Sequence, residues 1–118
     1  MRALVILSLL GISSLANAQQ PMDGMRQMIV TGAISTGKTY QVAKLCGASK
    51  EDLEGYKARF DADAYEGRAS FYPSLGIDID KTFDMGIEEG RIFYAKLTTN
   101  RDHVCSETLA LIAKQSAR

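Results

Sequence analysis

The residues whose types and spacing most suggest chemistry lie at positions 32–39, where the chain reads GAISTGKT. Gly32, Gly37, Lys38 and Thr39 match every fixed position of the phosphate-binding pattern G-x-x-x-x-G-K-[ST]. In that pattern, backbone N–H groups surround the phosphates, the lysine reaches the terminal oxygens and the hydroxyl holds magnesium. The pattern works only between a strand and a helix, and the sequence offers no convincing parallel strands. We interpret the match as accidental and keep phosphate or nucleotide binding at these four residues as the alternative.

A second candidate runs from Asp78 to Glu89 and places oxygen-bearing side chains at alternate positions, as a calcium loop does. The sixth position is Phe83, where the tight turn of a calcium loop requires glycine. Asp78 and Asp80 are also residues that helix starts favour. We therefore predict a helix N-terminus here and no metal site.

The other titratable residues form no recognisable catalytic set. His103 is the single histidine, and no serine or cysteine motif surrounds it, so no nucleophile pair can be argued. Glu88 with Glu89, and Asp61 with Asp63, are candidate carboxylate pairs, but residues one or two apart on a helix do not face each other. We predict that the protein is not an enzyme and carries no cofactor.

The two cysteines, Cys46 and Cys105, are more informative than these motifs. An even cysteine count in an exported chain predicts a disulfide. A zinc site would need closely spaced cysteines and histidine partners, which the sequence lacks. The bridge would join residues 59 positions apart, and the chain-entropy model gives such a loop about 4 kcal/mol of stabilisation.

The expectation of export comes from residues 1–18. Arg2 precedes a short apolar run that ends in Ala16-Asn17-Ala18, which is the plan of a cleavable secretory signal. The apolar run is shorter than the roughly 20 residues that a membrane-spanning helix needs. We predict cleavage after Ala18, a flexible leader at residues 19–24, and a mature protein that is periplasmic or secreted.

The elements that would position these residues are helices. Apolar and small residues recur at steps of three and four, and the glycines at 32 and 37 each cost a helix about 1 kcal/mol relative to alanine, so a break near Ser35 stays open. Gly47 predicts a left-handed cap, Ser49 a helix start, and Pro73 the end of the second helix. Asp78 or Asp80 would cap the third helix, and Asn100 or Asp102 the fourth. The four predicted helices cover residues 25–46, 50–71, about 79–97 and about 101–112 onward.

Composition limits the function further. Residues 25–118 make one domain of ordinary size, and 14 Lys and Arg balance 14 Asp and Glu. The sequence has no basic stripe of the kind that indicates nucleic-acid binding. The sequence thus predicts a single all-α, compact, bundle-like four-helix domain, stapled by one disulfide between the end of the first helix and the start of the last.

Thr36-Gly37, Tyr40 and Cys46 resemble the opening of small, disulfide-bonded helical immunity proteins that guard bacteria against toxins of type VI secretion. The resemblance covers roughly ten residues, and the further cysteines of that pattern are absent from this chain. It implies a domain that binds another protein. We therefore expect a protein that binds an envelope or extracellular protein, as an inhibitor, immunity or accessory factor; its partner and oligomeric state stay open.

Overall fold

A computed structural model describes the backbone of residues 2–117 and the side chains of residues 23–117. Within this range the chain forms five helices and no strand, which confirms the all-α prediction. The side chains of the predicted signal peptide and of most of the predicted leader lie outside the described residues. The helices are α1 (Arg2–Leu45), α2 (Lys50–Ala69), α3 (Phe71–Ser74), α4 (Ile79–Lys96) and α5 (Arg101–Ser116).

Helix α1 begins upstream of the expected start at residue 25 and is not interrupted at Ser35. It ends where the sequence predicts, because Gly47 has a φ of 93°, a left-handed conformation that glycine adopts without steric cost. The Gly47 N–H donates to Lys44 O at 3.2 Å, and the Ala48 N–H donates to Ala43 O at 2.9 Å. This pair of bonds satisfies carbonyls that the helix end leaves free, so the predicted glycine cap is confirmed.

Side-chain caps begin two of the later helices. The Ser49 hydroxyl accepts from the Asp52 N–H at 3.1 Å at the start of α2. The Asp78 carboxylate accepts from the Lys81 N–H at 3.1 Å at the start of α4. Each satisfies an N–H group that a helix start leaves without a partner. At α5 the capping position is Asn100, whose side chain makes no such bond.

The prediction that one helix reaches residue 71 and stops at Pro73 is wrong. The chain leaves helical geometry at Ser70, with a φ of −147°, and Pro73 lies inside the short helix α3. Proline is tolerated there because the first turn of a helix has no partners for its N–H groups. Gly76, with a φ of 71°, follows the end of α3. The structure therefore has five helices where the sequence predicts four.

Helices α1 and α4 pack against each other more closely than side chains would permit. A Cβ atom at Gly37 would collide with the carbonyl oxygen of Phe83, and one at Gly86 with that of Ile34. A Cβ atom at Gly90 would lie 2.7 Å from the carbonyl oxygen of Lys38. Small residues allow such an approach because the two backbones can come into direct contact. Gly37 belongs to the phosphate pattern and to the glycines expected to weaken the helix. In the structure it is a packing residue between α1 and α4.

Two buried clusters lie along α1. One joins α1 to α2 and to the start of α4, and the other joins the end of α1 to α2 and α5. Ile112 of α5 is fully buried in the second cluster. The first cluster contains Ala33, Ala64, Ile77 and Ile79, and the second contains Ala43, Leu53, Tyr56 and Ile112.

The disulfide joins the end of α1 to α5. The sulfur atoms of Cys46 and Cys105 lie 2.06 Å apart, with 5.3 Å between the Cα atoms. Cys46 directly follows α1, and Cys105 lies in the second turn of α5. The predicted pairing is confirmed, and with it the expected contact between the end of the first helix and the start of the last.

Candidate functional site

The four residues of the phosphate pattern do not converge on a ligand site. All of them lie within α1, where backbone N–H groups bond to carbonyls four residues earlier. Gly37 packs against α4, and the Lys38 ammonium lies 4.3 Å from the centroid of the Phe93 ring. Thr39 lies beside Tyr56 of α2, whereas a Cβ atom added at Gly32 would have no neighbour within 4 Å. The geometry gives the phosphate alternative no support.

Tyr56, the neighbour of Thr39, is a buried residue of α2. Burial raises the pKa of the Tyr56 phenol above its ordinary value, and hydrogen bonds with Thr39 and Thr36 oppose that rise. The ring belongs to the buried cluster at the end of α1. These two threonines therefore contribute to the contact between α1 and α2.

The carboxylates singled out in the sequence are mostly engaged in local contacts. Asp78 caps α4, and Glu88 pairs with Arg91 on one exposed helix face. His103 lies 3.2 Å from Glu107, with both side chains about 70% exposed. Among the side chains of residues 23–117, no group of three or more His, Cys, Asp or Glu could hold a metal ion.

Asp61 and Asp63, which the sequence pairs, have different surroundings. The Asp61 carboxylate lies 2.6 Å from the Lys57 ammonium and 2.7 Å from the Arg68 guanidinium. Partial burial raises the pKa of Asp61, but these hydrogen bonds outweigh it and the net pKa is lowered. Arg68 also makes two hydrogen bonds to Asp80 of α4, at 2.8 and 3.2 Å. Asp61 is therefore part of a network that holds α2 to α4.

Asp63 instead lines an open depression between α1 and α2, which we call the α1–α2 groove. Its volume is about 240 Å³. Its floor is formed by buried alanines on the two helices and by Ile79. The Met28 side chain, at 77% exposure, lies at its rim. The groove is lined by Met28, Ile29, Gly32, Ala33 and Thr36 of α1, Phe60, Asp63 and Ala64 of α2, Tyr72 of α3 and Ile79 of α4.

A smaller cavity of about 100 Å³ continues the groove towards the C-terminal end of α5. The two share Thr36, Phe60 and Asp63 as lining residues. Arg59 and Gln115 line only the smaller cavity. Asp63 therefore lies where the two cavities meet.

The groove is open because α2 is held mainly by helices other than α1. Gly55 of α2 packs against Ser116 of α5, whose hydroxyl donates to Asp52 at 3.1 Å. The facing positions on the groove floor are small, with Ala33 on one side and Ala64 on the other. Without larger side chains there, the space between the two helices is not filled.

Sequence reasoning found part of this site. It singles out Gly32, which lines the groove, but as part of a phosphate pattern. It misses Met28, which belongs to none of the motifs in the sequence. It also gives Asp63 no role of its own. No sequence signal marks these two residues, because the groove depends on how α2 is placed.

None of the helices searched has the length and apolar character that crossing a membrane demands, over the residues that the structure describes. Comparisons of the chain with protein-family models, with characterised proteins and with solved structures find no match. The geometry of the α1–α2 groove is accordingly the observation on which a function can be argued.

Proposed function

We propose that this protein is exported and acts by binding another protein of the envelope or the exterior through the α1–α2 groove. It would serve as an inhibitor, immunity or accessory factor rather than as a catalyst. The single observation that carries the proposal is an open groove whose floor is apolar and whose rim carries an exposed methionine. Exposed apolar surface with polar residues around it is typical of protein-binding sites.

Export is supported by two features. Disulfides persist in oxidising compartments and are rare in the cytosol, and Cys46 and Cys105 are joined in the structure. The sequence of residues 1–18 follows the plan of a secretory signal. A periplasmic or secreted location, with cleavage after Ala18, is the proposal that accounts for both.

Binding rather than catalysis is supported by the chemistry of the groove. It offers one carboxylate, Asp63, and two hydroxyls, those of Thr36 and Tyr72, among mostly apolar side chains. A catalytic site needs a nucleophile or base within hydrogen-bond reach of a partner group. Met28 suits binding, because an unbranched, polarizable side chain adapts to irregular partner surfaces.

The proposal is tested by photo-crosslinking from the groove. A benzophenone amino acid replaces Met28 in the full chain, which is expressed in its own host; in a matched control it replaces Met85, which is 54% exposed on α4. We expect a protein adduct that forms from position 28 and not from position 85. The adduct is identified by mass spectrometry.

The identified protein is then purified and titrated calorimetrically. Met28→Asp should weaken its binding at least about tenfold, because a carboxylate would have to be desolvated in an apolar contact. Met85→Asp should leave the affinity unchanged. Equal adduct formation from the two positions, or equal affinity of the two variants, would contradict the proposal.

A further inference from the structure

We propose that the α1–α2 groove receives a lysine or arginine side chain of the partner protein, with Asp63 as its counter-ion. This inference rests on the protein-binding function proposed above and specifies the chemistry of the partner. It depends on three observations: the unpaired charge of Asp63, the size of the groove and the aromatic rings beside it.

The charge of Asp63 is available for a partner. Asp63 forms no ion pair with any side chain that the structure describes. Arg59, four residues earlier on α2, instead donates to the Gln115 carbonyl oxygen at 3.3 Å. Arg26, beyond the other end of the groove, donates to the Leu75 carbonyl oxygen at 3.0 Å. A cation that entered the groove would therefore meet a carboxylate with no competing ion pair.

The size of the groove favours an anchoring side chain over a whole small molecule. Its volume of about 240 Å³ is below the roughly 300 to 1,000 Å³ that is typical of small-molecule pockets. A lysine or arginine has an apolar stem that packs along hydrophobic surface while its charged head reaches a polar group. The apolar floor with Asp63 at its edge matches both parts of such a side chain.

Two aromatic rings favour a cation further. Phe60 and Tyr72 line the groove, and the face of an aromatic ring attracts a positive charge. The Phe60 ring already makes such a contact, because the Lys57 ammonium lies 5.4 Å from its centroid. Lys57 is itself paired with Asp61, so it does not neutralise Asp63.

The inference can be tested without knowing the partner. A displayed library of random twelve-residue peptides is selected against the purified protein, in parallel with Asp63→Asn, Asp63→Lys and Met28→Asp. Asp63 is exposed, so these substitutions leave the core intact. We expect the wild-type protein to enrich peptides that carry Lys or Arg between apolar residues.

The variants give the decisive results. Peptides selected on the wild-type protein should bind Asp63→Asn about tenfold more weakly, the loss expected for a charge-assisted contact. Selection on Asp63→Lys should enrich Asp or Glu at the same peptide position. Both effects should diminish at high salt, since exposed charges are screened.

Two other outcomes would overturn the inference. If peptides require Met28 but show no preference for Lys or Arg, or bind Asp63→Asn equally well, the groove binds proteins without a basic anchor. If no selected peptide depends on Met28, the groove receives no basic anchor. The protein-binding function is judged separately, by crosslinking from position 28.

Discussion

The two faces of α1 use small residues with opposite results. On the α4 side, Gly37 fits against α4 and Gly86 against α1, and the backbones touch. On the α2 side, Ala33 and Ala64 also face each other, yet a groove remains open between the helices. Small residues thus permit close packing without enforcing it. The distance between the helices depends on whether the second helix can approach α1 or is held away from it by contacts with other helices.

The disulfide joins α1 to a third helix, α5. Cys46 follows α1 directly and is joined to α5, whose Ile112 is buried against the end of α1. No covalent link fixes α2, whose contacts with α5 and α4 are hydrogen bonds, ion pairs and packing. We therefore expect the closed and open sides to respond differently when one of their contacts is removed.

The largest expected effect comes from replacing both cysteines by serine. The bond joins residues 59 positions apart, and for a loop of that length the chain-entropy model predicts a loss of about 4 kcal/mol in the free energy of unfolding. Urea denaturation of the oxidised wild type and the double variant measures the difference. The reduced wild-type protein is the control and should match the variant. A loss below about 1 kcal/mol would show that packing alone holds α5 against the end of α1.

The next effect compares a glycine in the α1–α4 contact, Gly86, with a glycine of α1 that has no close neighbour, Gly32. Gly86→Val should destabilise the protein by about 3 kcal/mol, because the added side chain meets backbone atoms that cannot move aside. Gly32→Ala, which places a methyl group where nothing lies within 4 Å, should be neutral or stabilise α1 by up to about 1 kcal/mol. Thermal unfolding of the two variants provides the measurement. If Gly86→Val unfolds like the wild type, α1 and α4 are not in backbone contact.

The contrast between local and distant contacts also determines what the sequence could predict. The disulfide, the glycine cap at Gly47 and the caps at Ser49 and Asp78 depend on residues close in sequence or on the cysteine count, and all were predictable. The short helix α3 was not predictable. The serine at position 70 is not a strong helix breaker, and a proline such as Pro73 disrupts the interior of a helix but is tolerated in its first turn. The role of Gly37 in packing could be anticipated only as that of a small residue on a helix face.

The groove was less predictable than the fold. The space between Ala33 of α1 and Ala64 of α2 is not encoded in either helix alone. It follows from contacts made elsewhere, such as Gly55 of α2 against Ser116 of α5. The role of Asp63 could not be inferred either, because Asp61 and Asp63 look equivalent in sequence and differ only in what surrounds them.

The smallest expected effect concerns the ion pairs that hold the α2 wall of the groove. The pKa of Asp61 is lowered from its ordinary value of 3.8, so its contribution to stability is present above that value and is lost as the pH falls through the lowered pKa. Its side chain is 43% exposed, and solvent screening limits the contribution to about 1 kcal/mol or less. Asp61→Asn should therefore destabilise the protein slightly at pH 7.

The pH dependence separates this contribution from a general effect of the substitution. The difference in unfolding free energy between the wild type and Asp61→Asn should shrink as the pH falls below 3.8, because the wild-type carboxyl then loses its charge as well. Asp63→Asn, with no ion pair to lose, is the matched control and should change the stability little at either pH. A difference that persists unchanged in acid would show that Asp61 contributes through packing. The α2 wall would then be held without its ion pairs, and the open groove would owe its width to the contacts of α2 with α5.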